Sequence, residues 1–267
     1  MQRDTASVNR AGFLPDELSK WPAYDEILKN AKILRKATSW GNSDTYVLRS
    51  VSGKQYLLKS FVRQPWLARI ILGRLSIKNE YRLLRHLEKQ GFQQAPKALA
   101  MLNKDCLLMQ YFAEGKNLRK KERYSADKSP GPDFFHALVK LLRQLHGMGI
   151  CHGDFRRANI LRMPDDRPIL LDWSTAMIKS ASLRSTLMRP LYNALRRSDL
   201  FSLATIVASY DENLLDDDMR YCLQHQPWYL KAARCLRQSF YRHFIKKIRK
   251  KIRQAQKKKQ QGRAKQQ

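Results

Sequence analysis

The sequence predicts an α+β chain of two lobes, in which a small antiparallel sheet comes first and a mainly helical part follows. Residues 31–62 contain three short strand-like runs separated by turn residues. Residues 116–132 are polar, basic and interrupted by proline and glycine, as expected of a connection between lobes. After that connection, apolar side chains recur at helical spacing. The order of these elements indicates two lobes with a cleft between them.

The first lobe is expected over residues 31–115, after an N-terminal extension of residues 1–30. Its strands are predicted in the runs AKILRKATSW, TYVLRSV and KQYLLKSF, and the apolar run CLLMQYF near residues 106–112 is a further strand candidate. From Ser76 to Gln90, apolar residues at helical spacing lie among charges, and Gly91 is placed to end this helix.

The second lobe is expected over residues 116–240. The segment DFFHALVKLLRQLHGMG places six apolar residues on one helical face, which predicts a buried face: Phe134, Phe135, Leu138, Leu141, Leu142 and Leu145. The apolar segments 159–163 and 168–171 flank Asp165-Asp166 as the strands of a short hairpin would. The chain is predicted to be helical from about Ser198, and residues 241–267 are predicted to form a basic tail.

Composition limits the class of protein. The four cysteines are scattered without a CxxC pair, which fits a reducing setting. The N-terminus lacks the apolar region of a signal peptide, and no run reaches the roughly 18 apolar residues of a membrane span. We therefore expect the chain in the cytoplasm. The formal net charge of +29 predicts a polyanionic partner. Nucleic acid, an anionic membrane face and a phosphorylated glycolipid all satisfy this expectation.

Five side chains follow the order that phosphoryl transfer from ATP requires: a cation on the phosphates, ligands for Mg²⁺ and a base at the acceptor hydroxyl. Lys59 ends the third predicted strand, and Glu80 lies on the next helix, where the two side chains would pair. Downstream, HGDFRRAN contains Asp154 and Asn159 at the spacing HxDxxxxN, and Asp172 ends the apolar run LLD. Each residue alone has a commoner structural role, as a solvated pair or a turn carboxylate. Together they support one another.

These segments resemble the protein-kinase-like superfamily over approximately residues 31 to 210, which implies a two-lobe protein-kinase-like fold. The resemblance implies that Asp154 is the catalytic base. It also implies that Lys59 and Glu80 form the catalytic ion pair on the ATP phosphates, and that Asn159 and Asp172 bind Mg²⁺. Within the superfamily, the arginine-rich insert and the HGDFRRANIL loop look closest to the lipopolysaccharide kinases that phosphorylate Kdo or heptose. RIO-type atypical kinases are second.

The predicted ATP contacts are Lys59, Gly41, Met109 and Tyr111. The phosphate-covering loop, SWGNSD, contains one glycine where the superfamily has several. Gly153 replaces the arginine that reads a phosphorylated activation loop in regulated protein kinases, and no Ala-Pro-Glu follows Asp172. We therefore do not expect activation-loop control, and a peptide acceptor is disfavoured.

Three further positions bear on the resemblance. Trp173 replaces the motif phenylalanine and keeps an aromatic side chain there, whereas Ser174 replaces a glycine and is expected to restrict the metal aspartate. Asp199 resembles the helix aspartate that binds the catalytic-loop backbone in kinases. An N-cap role for Asp199 is the alternative.

Two amphipathic segments each allow two interpretations. In PWLARIILGRL, residues 65–75, large apolar residues alternate with arginines; the segment either rests on a membrane interface or packs on the first lobe with its arginines in solvent. At the C-terminus, Phe240, Phe244, Ile248 and Ile252 recur every four residues among lysines and arginines. This helix either contacts a membrane or polyanion, which we favour, or docks on the second lobe.

Three functions fit these features. The favoured hypothesis is a kinase that uses ATP and Mg²⁺ to phosphorylate a sugar hydroxyl of lipopolysaccharide core, as a peripheral protein on the inner face of the cell membrane. Its partners would be ATP, a lipid-linked saccharide and the anionic membrane surface. The alternative is a RIO-type Ser/Thr kinase or ATPase associated with RNA or ribosomes. The third is a nonenzymatic scaffold that retains the fold.

Overall fold

The computed structural model describes residues 14–22, 24–29, 31–38, 42–118, 129–179 and 183–226. Gly41 and the predicted basic tail lie outside these residues. The chain divides into two compact units, Met1–Asp216 and Asp217–Gln267, and the second contributes one described helix, α6 (Asp217–Gln224). The lobe boundaries predicted from the sequence stay a prediction. Among the described helices, none combines the length and apolar character needed to cross a membrane.

The first part of the larger unit is an antiparallel sheet, as predicted, and it has five strands. Its strands are β1 (Lys32–Arg35), β2 (Asp44–Arg49), β3 (Gln55–Ser60), β4 (Ala98–Asn103) and β5 (Cys106–Gln110), in the order β1-β2-β3-β5-β4. The strand β4 was not predicted, because its sequence ALAMLN has no clear alternation and no β-branched residue. Hydrogen bonding to β5 across a tight turn makes it a strand.

The two faces of this sheet have different neighbours, because side chains alternate along a strand. One face forms a core that includes Tyr46, Leu58 and Leu108. Leu14 and Ile27, the latter on helix α1 (Tyr24–Lys29), complete that core, so part of the predicted N-terminal extension packs on the sheet. The other face carries Lys59 of β3 and is left for the site.

A long helical stretch follows β3. It consists of α2 (Trp66–Ala68), a π-helical turn (Arg69–Gly73) and α3 (Arg74–Lys89). The helix predicted from Ser76 is therefore present, and Gly91 follows its end with φ of 71°. The buried residues of α3 recur every three or four positions: Ile77, Glu80, Leu83, Leu84 and Leu87.

The second part of the larger unit is mainly helical. Its elements are β6 (Lys116–Asn117), α4 (Pro132–Gly147), β7 (Ile150–Cys151), β8 (Ile160–Arg162), β9 (Pro168–Leu170), β10 (Met177–Ile178) and α5 (Leu183–Ala208), with 3₁₀ turns at Arg157–Asn159 and Glu212–Leu214. All six residues of the predicted helical face are buried in α4. The predicted hairpin is also present, since β8 pairs with β9. The helical part predicted from about Ser198 begins earlier, with α5 at Leu183, although Pro190 lies inside that helix.

Candidate active site

Three predicted side chains meet at a buried ion cluster. The Nζ atom of Lys59 lies 2.6 Å and 2.9 Å from the two carboxylate oxygens of Glu80 on α3. It also lies 3.1 Å from Oδ1 of Asp172, which follows β9. The side chains of Lys59 and Glu80 are 10% and 2% exposed, so water screens their attraction little. The cluster joins the sheet, α3 and the segment after β9.

The charge states of Lys59 and Asp172 are set by the groups that contact them. Burial by itself lowers the pKa of Lys59, but Glu80 and Asp172 outweigh burial and raise that pKa above its ordinary value. Burial raises the pKa of Asp172, whereas Lys59 and the Ser174 hydroxyl lower it, and the net result is a pKa of about 2. At neutral pH, Lys59 is therefore a cation and Asp172 a carboxylate.

A second cluster surrounds Asp154, which lies in the loop after β7. The Asn159 amide donates to Oδ2 of Asp154 at 2.9 Å, and Nε of Arg156 lies 2.9 Å from the same oxygen. Both contacts use Oδ2, and the Asp154 side chain is 39% exposed. Burial raises the pKa of Asp154, and the nearby Arg156 guanidinium opposes that rise. The net effect is a pKa above the ordinary value of aspartate. The exposed part of the Asp154 side chain is within reach of a substrate.

Asp199 of α5 binds the backbone of the loop that carries Asp154. The two Asp199 oxygens accept hydrogen bonds from the backbone N–H groups of His152, at 2.7 Å, and Gly153, at 2.9 Å. Asp199 lies well inside α5, so the N-cap alternative is wrong. Gly153 has φ of 76°, and a Cβ there would lie 2.7 Å from the Thr175 carbonyl oxygen. That close approach leaves no room for the arginine that regulated kinases carry.

The segment after β9 is held in one conformation. Asp172 has φ of 65°, which is unusual for a residue other than glycine, and the Ser174 hydroxyl donates to its Oδ1 at 3.0 Å. This hydrogen bond is a direct contact through which Ser174 would restrict Asp172, as predicted from the sequence. The Asn79 amide of α3 donates to the carbonyls of Ser174 and Ala176 at 3.0 Å. The Trp173 backbone N–H donates to Glu80 at 3.2 Å.

A cavity of about 380 Å³ lies between the sheet and these clusters. Met109 and Tyr111, two of the predicted ATP contacts, line it, together with Lys59, Asn159 and Asp172. The structure therefore brings these five residues to one cavity. Gly41 lies outside the described residues.

The polar groups around this cavity fit ATP with Mg²⁺. A cationic Lys59 suits phosphate oxygens, and the donor set of one carboxylate, Asp172, and one side-chain amide, Asn159, consists of the hard oxygen ligands that Mg²⁺ prefers. Magnesium usually takes only one or two carboxylates from a protein and completes its shell with water and phosphate. Asn159 donates through its nitrogen to Asp154, which leaves its amide oxygen for the metal.

Comparison with known families agrees with this geometry. The model of the RIO domain family matches residues 50–195, more than half of the chain. The chain belongs to the RIO domain family. RIO domains are protein-kinase-like and use ATP and Mg²⁺ as atypical kinases, so the chain is an ATP-dependent phosphotransferase. Comparison with curated proteins gives no match.

The family assignment also sorts the resemblances drawn from the sequence. The protein-kinase-like superfamily and the RIO-type alternative are confirmed. The closer likeness to lipopolysaccharide kinases has no support from the family match. The sequence analysis ranked these kinases above the RIO-type kinases, and the family match reverses that order. The matched region of the RIO domain contains every predicted site residue except Gly41. The roles of the individual residues stay predictions.

Two residues near the site were not predicted. Arg156 lies inside the HGDFRRAN motif, but its contact with Asp154 depends on how the loop turns back on itself. Asn79 precedes Glu80 by one position, and no spacing rule marks it. Both contacts are made by tertiary structure, so the sequence signal for them is weak.

Replacing Arg156 with glutamine is expected to shift the acid limb of the pH–rate profile to higher pH. A base must be deprotonated to act, and burial already raises the pKa of Asp154. Loss of the opposing guanidinium raises that pKa further, so activity is lost at a higher pH as the solution is acidified. The measurement is kcat for ATP turnover against pH. Arg156→Lys, which keeps the charge, should stay near the wild-type profile, and a shift of Arg156→Gln to lower pH would contradict the argument.

Proposed function

We propose that this RIO domain chain transfers the γ-phosphoryl group of ATP to a hydroxyl group, or to water, while bound to a ribonucleoprotein. The single observation that supports phosphotransfer best is the buried contact of Lys59 with both Glu80 and Asp172. This contact joins Lys59, the proposed phosphate-binding cation, to Asp172, a proposed metal ligand. Asp154 lies in the neighbouring loop, joined to Asn159, the other proposed metal ligand, by a 2.9 Å hydrogen bond.

Each side chain has a defined task in this proposal. Glu80 holds Lys59 in place, and Lys59 neutralises phosphate charge. Asp172 and Asn159 hold Mg²⁺, which supplies charge neutralisation on the phosphates when bound. Asp154 accepts the proton of the acceptor hydroxyl through Oδ1, because Oδ2 is already engaged by Asn159 and Arg156.

The proposal of a ribonucleoprotein acceptor rests on charge and on the family. The net charge of +29 favours a polyanion, and the RIO family match favours the RNA-associated alternative over the glycolipid one. Only ten residues separate Asp172 from the start of α5, and they contain no Ala-Pro-Glu segment. This short connection offers little to hold an extended peptide, which favours an acceptor that binds through its phosphates.

A second candidate is phosphorylation of a sugar hydroxyl on a lipid-linked saccharide of the lipopolysaccharide core at the cytoplasmic membrane face. The observation in its favour is a group of exposed apolar side chains between residues 66 and 75. Such a surface is typical of proteins that meet lipid or another apolar partner.

One assay with separate acceptors distinguishes these functions. The full chain is incubated with Mg²⁺ and γ-labelled ATP, with ribosomal subunits, with extracted core glycolipid, or alone. We expect label transfer or faster ATP turnover with ribosomal subunits, and co-sedimentation that weakens steeply as salt rises. Label entering only the glycolipid would replace the first candidate with the second. ATP binding without turnover under any condition would overturn both.

A further inference from the structure

The helical stretch after β3 carries six large apolar side chains on its outer side. We call the surface formed by these residues the 66–75 face: Trp66, Leu67, Ile70, Ile71, Leu72 and Leu75. Each is between 42% and 66% exposed. Single exposed apolar residues are common on protein surfaces, but six within ten positions form a contiguous patch that is not.

The opposite side of the same stretch explains this exposure. Within residues 66–75 the buried residues are Ala68 and Gly73, and a Cβ at Gly73 would lie 2.7 Å from Cγ of Phe61. The backbone at Gly73 therefore packs directly against Phe61, with no space for a larger side chain. The π-helical turn over Arg69–Gly73 adds one residue to the turn, so both small residues lie on the buried side. The segment therefore packs on the first lobe through its small residues, and its large side chains are left exposed.

The two arginines among residues 66–75 pair with a carboxylate of the protein. Nε of Arg74 lies 2.8 Å from Asp105, in the turn between β4 and β5, and Nε of Arg69 lies 3.7 Å from the same carboxylate. Both guanidinium groups therefore form ion pairs within the protein. Exposed cations remain around the face at Arg63, Lys78 and, beside Asp105, Lys104. From Phe61 to Asn79 the sequence contains no acidic residue.

We propose that the 66–75 face docks on an anionic lipid bilayer surface, with its apolar side chains in the interface and the exposed cations at the lipid phosphates. The face consists of leucine and isoleucine with one tryptophan, it is bordered by basic residues, and its own sequence run contains no acidic residue. This is the composition of interfacial helices. A protein partner is disfavoured, because hot spots of protein interfaces use tryptophan, tyrosine and arginine more than leucine. A nucleic-acid partner is disfavoured, because it offers no apolar phase for isoleucine. The composition and the charge thus favour lipid.

Docking of this face would place the active site close to the bilayer. Leu75 and Glu80 are five residues apart on α3, about 8 Å along the helix axis. The helix that enters the interface is therefore the helix that carries Glu80, the ion-pair partner of Lys59. The proposal does not depend on which acceptor is phosphorylated.

The test is flotation of the full chain with vesicles, without ATP. Vesicles of phosphatidylethanolamine and phosphatidylglycerol are compared with neutral phosphatidylcholine. The variant carries Ile71→Asp and Leu75→Asp on the face, and the matched control carries Val51→Asp and Leu187→Asp at exposed apolar positions elsewhere. Because basic segments outside the face also attract anionic lipid, binding is measured at low salt and again at about 0.5 M salt, where charge attraction is screened.

We expect wild type and control to float with anionic vesicles at both salt concentrations. The face variant should partition at least tenfold less at the higher salt. The proposal would be overturned if the face variant floated as well as wild type. It would also be overturned if the control lost as much vesicle binding as the face variant. A wild type that ignores vesicles but dimerises, with dimerisation abolished in the face variant, would assign the face to a second copy of the chain instead.

Discussion

Replacing Asp154 with asparagine is expected to lower kcat for phosphotransfer by about 10²–10⁴-fold, the usual contribution of a general base. Asparagine has the same shape and still presents an oxygen to the Asn159 amide, but it has no carboxylate to accept the acceptor proton. The affinity for ATP should change little, because Asp154 does not line the cavity that contains Lys59 and Asp172. The measurements are the initial rate of label transfer and the dissociation constant of ATP.

The matched control for this change is Asp165→Asn. Asp165 lies in the turn between β8 and β9, is 54% exposed and pairs with Arg167, so its loss should leave the rate near wild type. A rate for Asp154→Asn within about twofold of the control would remove Asp154 from the chemistry. Loss of ATP binding together with the rate would instead indicate a structural role.

Replacing Lys59 with methionine is expected to abolish activity and to lower the free energy of unfolding by about 3–5 kcal/mol, the usual cost of leaving one partner of a buried ion pair alone. Methionine keeps the length of the side chain but leaves the Glu80 carboxylate buried without its cation. The measurements are denaturant unfolding and the rate of ATP turnover.

The double variant Lys59→Met/Glu80→Gln separates these two effects. Removing both charges removes the unpaired carboxylate, so most of the stability should return while activity stays lost. In the single variant, burial favours protonated Glu80 and raises its pKa. The stability deficit relative to wild type should therefore be largest at neutral pH and shrink as pH falls toward the ordinary pKa of glutamate. A deficit that grows on acidification, or persists in the double variant, would contradict this account.

Much of the site was predictable because its chemistry depends on short-range spacing. The positions of Asp154 and Asn159 within one loop, and of Lys59 at a strand end, are properties of local sequence. The sheet and the α4 face were predictable for a similar reason, since alternation and helical periodicity are local signals of burial. The strand β4 was not, because its pairing with β5, and not its own residues, defines it.

The sequence by itself determined the kinase-like fold class and five of the residues that line the cavity, since motif spacing and periodicity are local properties of the chain. Only the tertiary structure decided that Asp199 binds the catalytic loop, that Arg156 pairs with Asp154, and that the 66–75 face is exposed. Each of these depends on how the backbone folds back on itself or on what packs against the other side of a helix. The close packing of Gly73 on Phe61 is one such fact, because it puts the small residues of an apolar run on the buried side and leaves the large ones exposed.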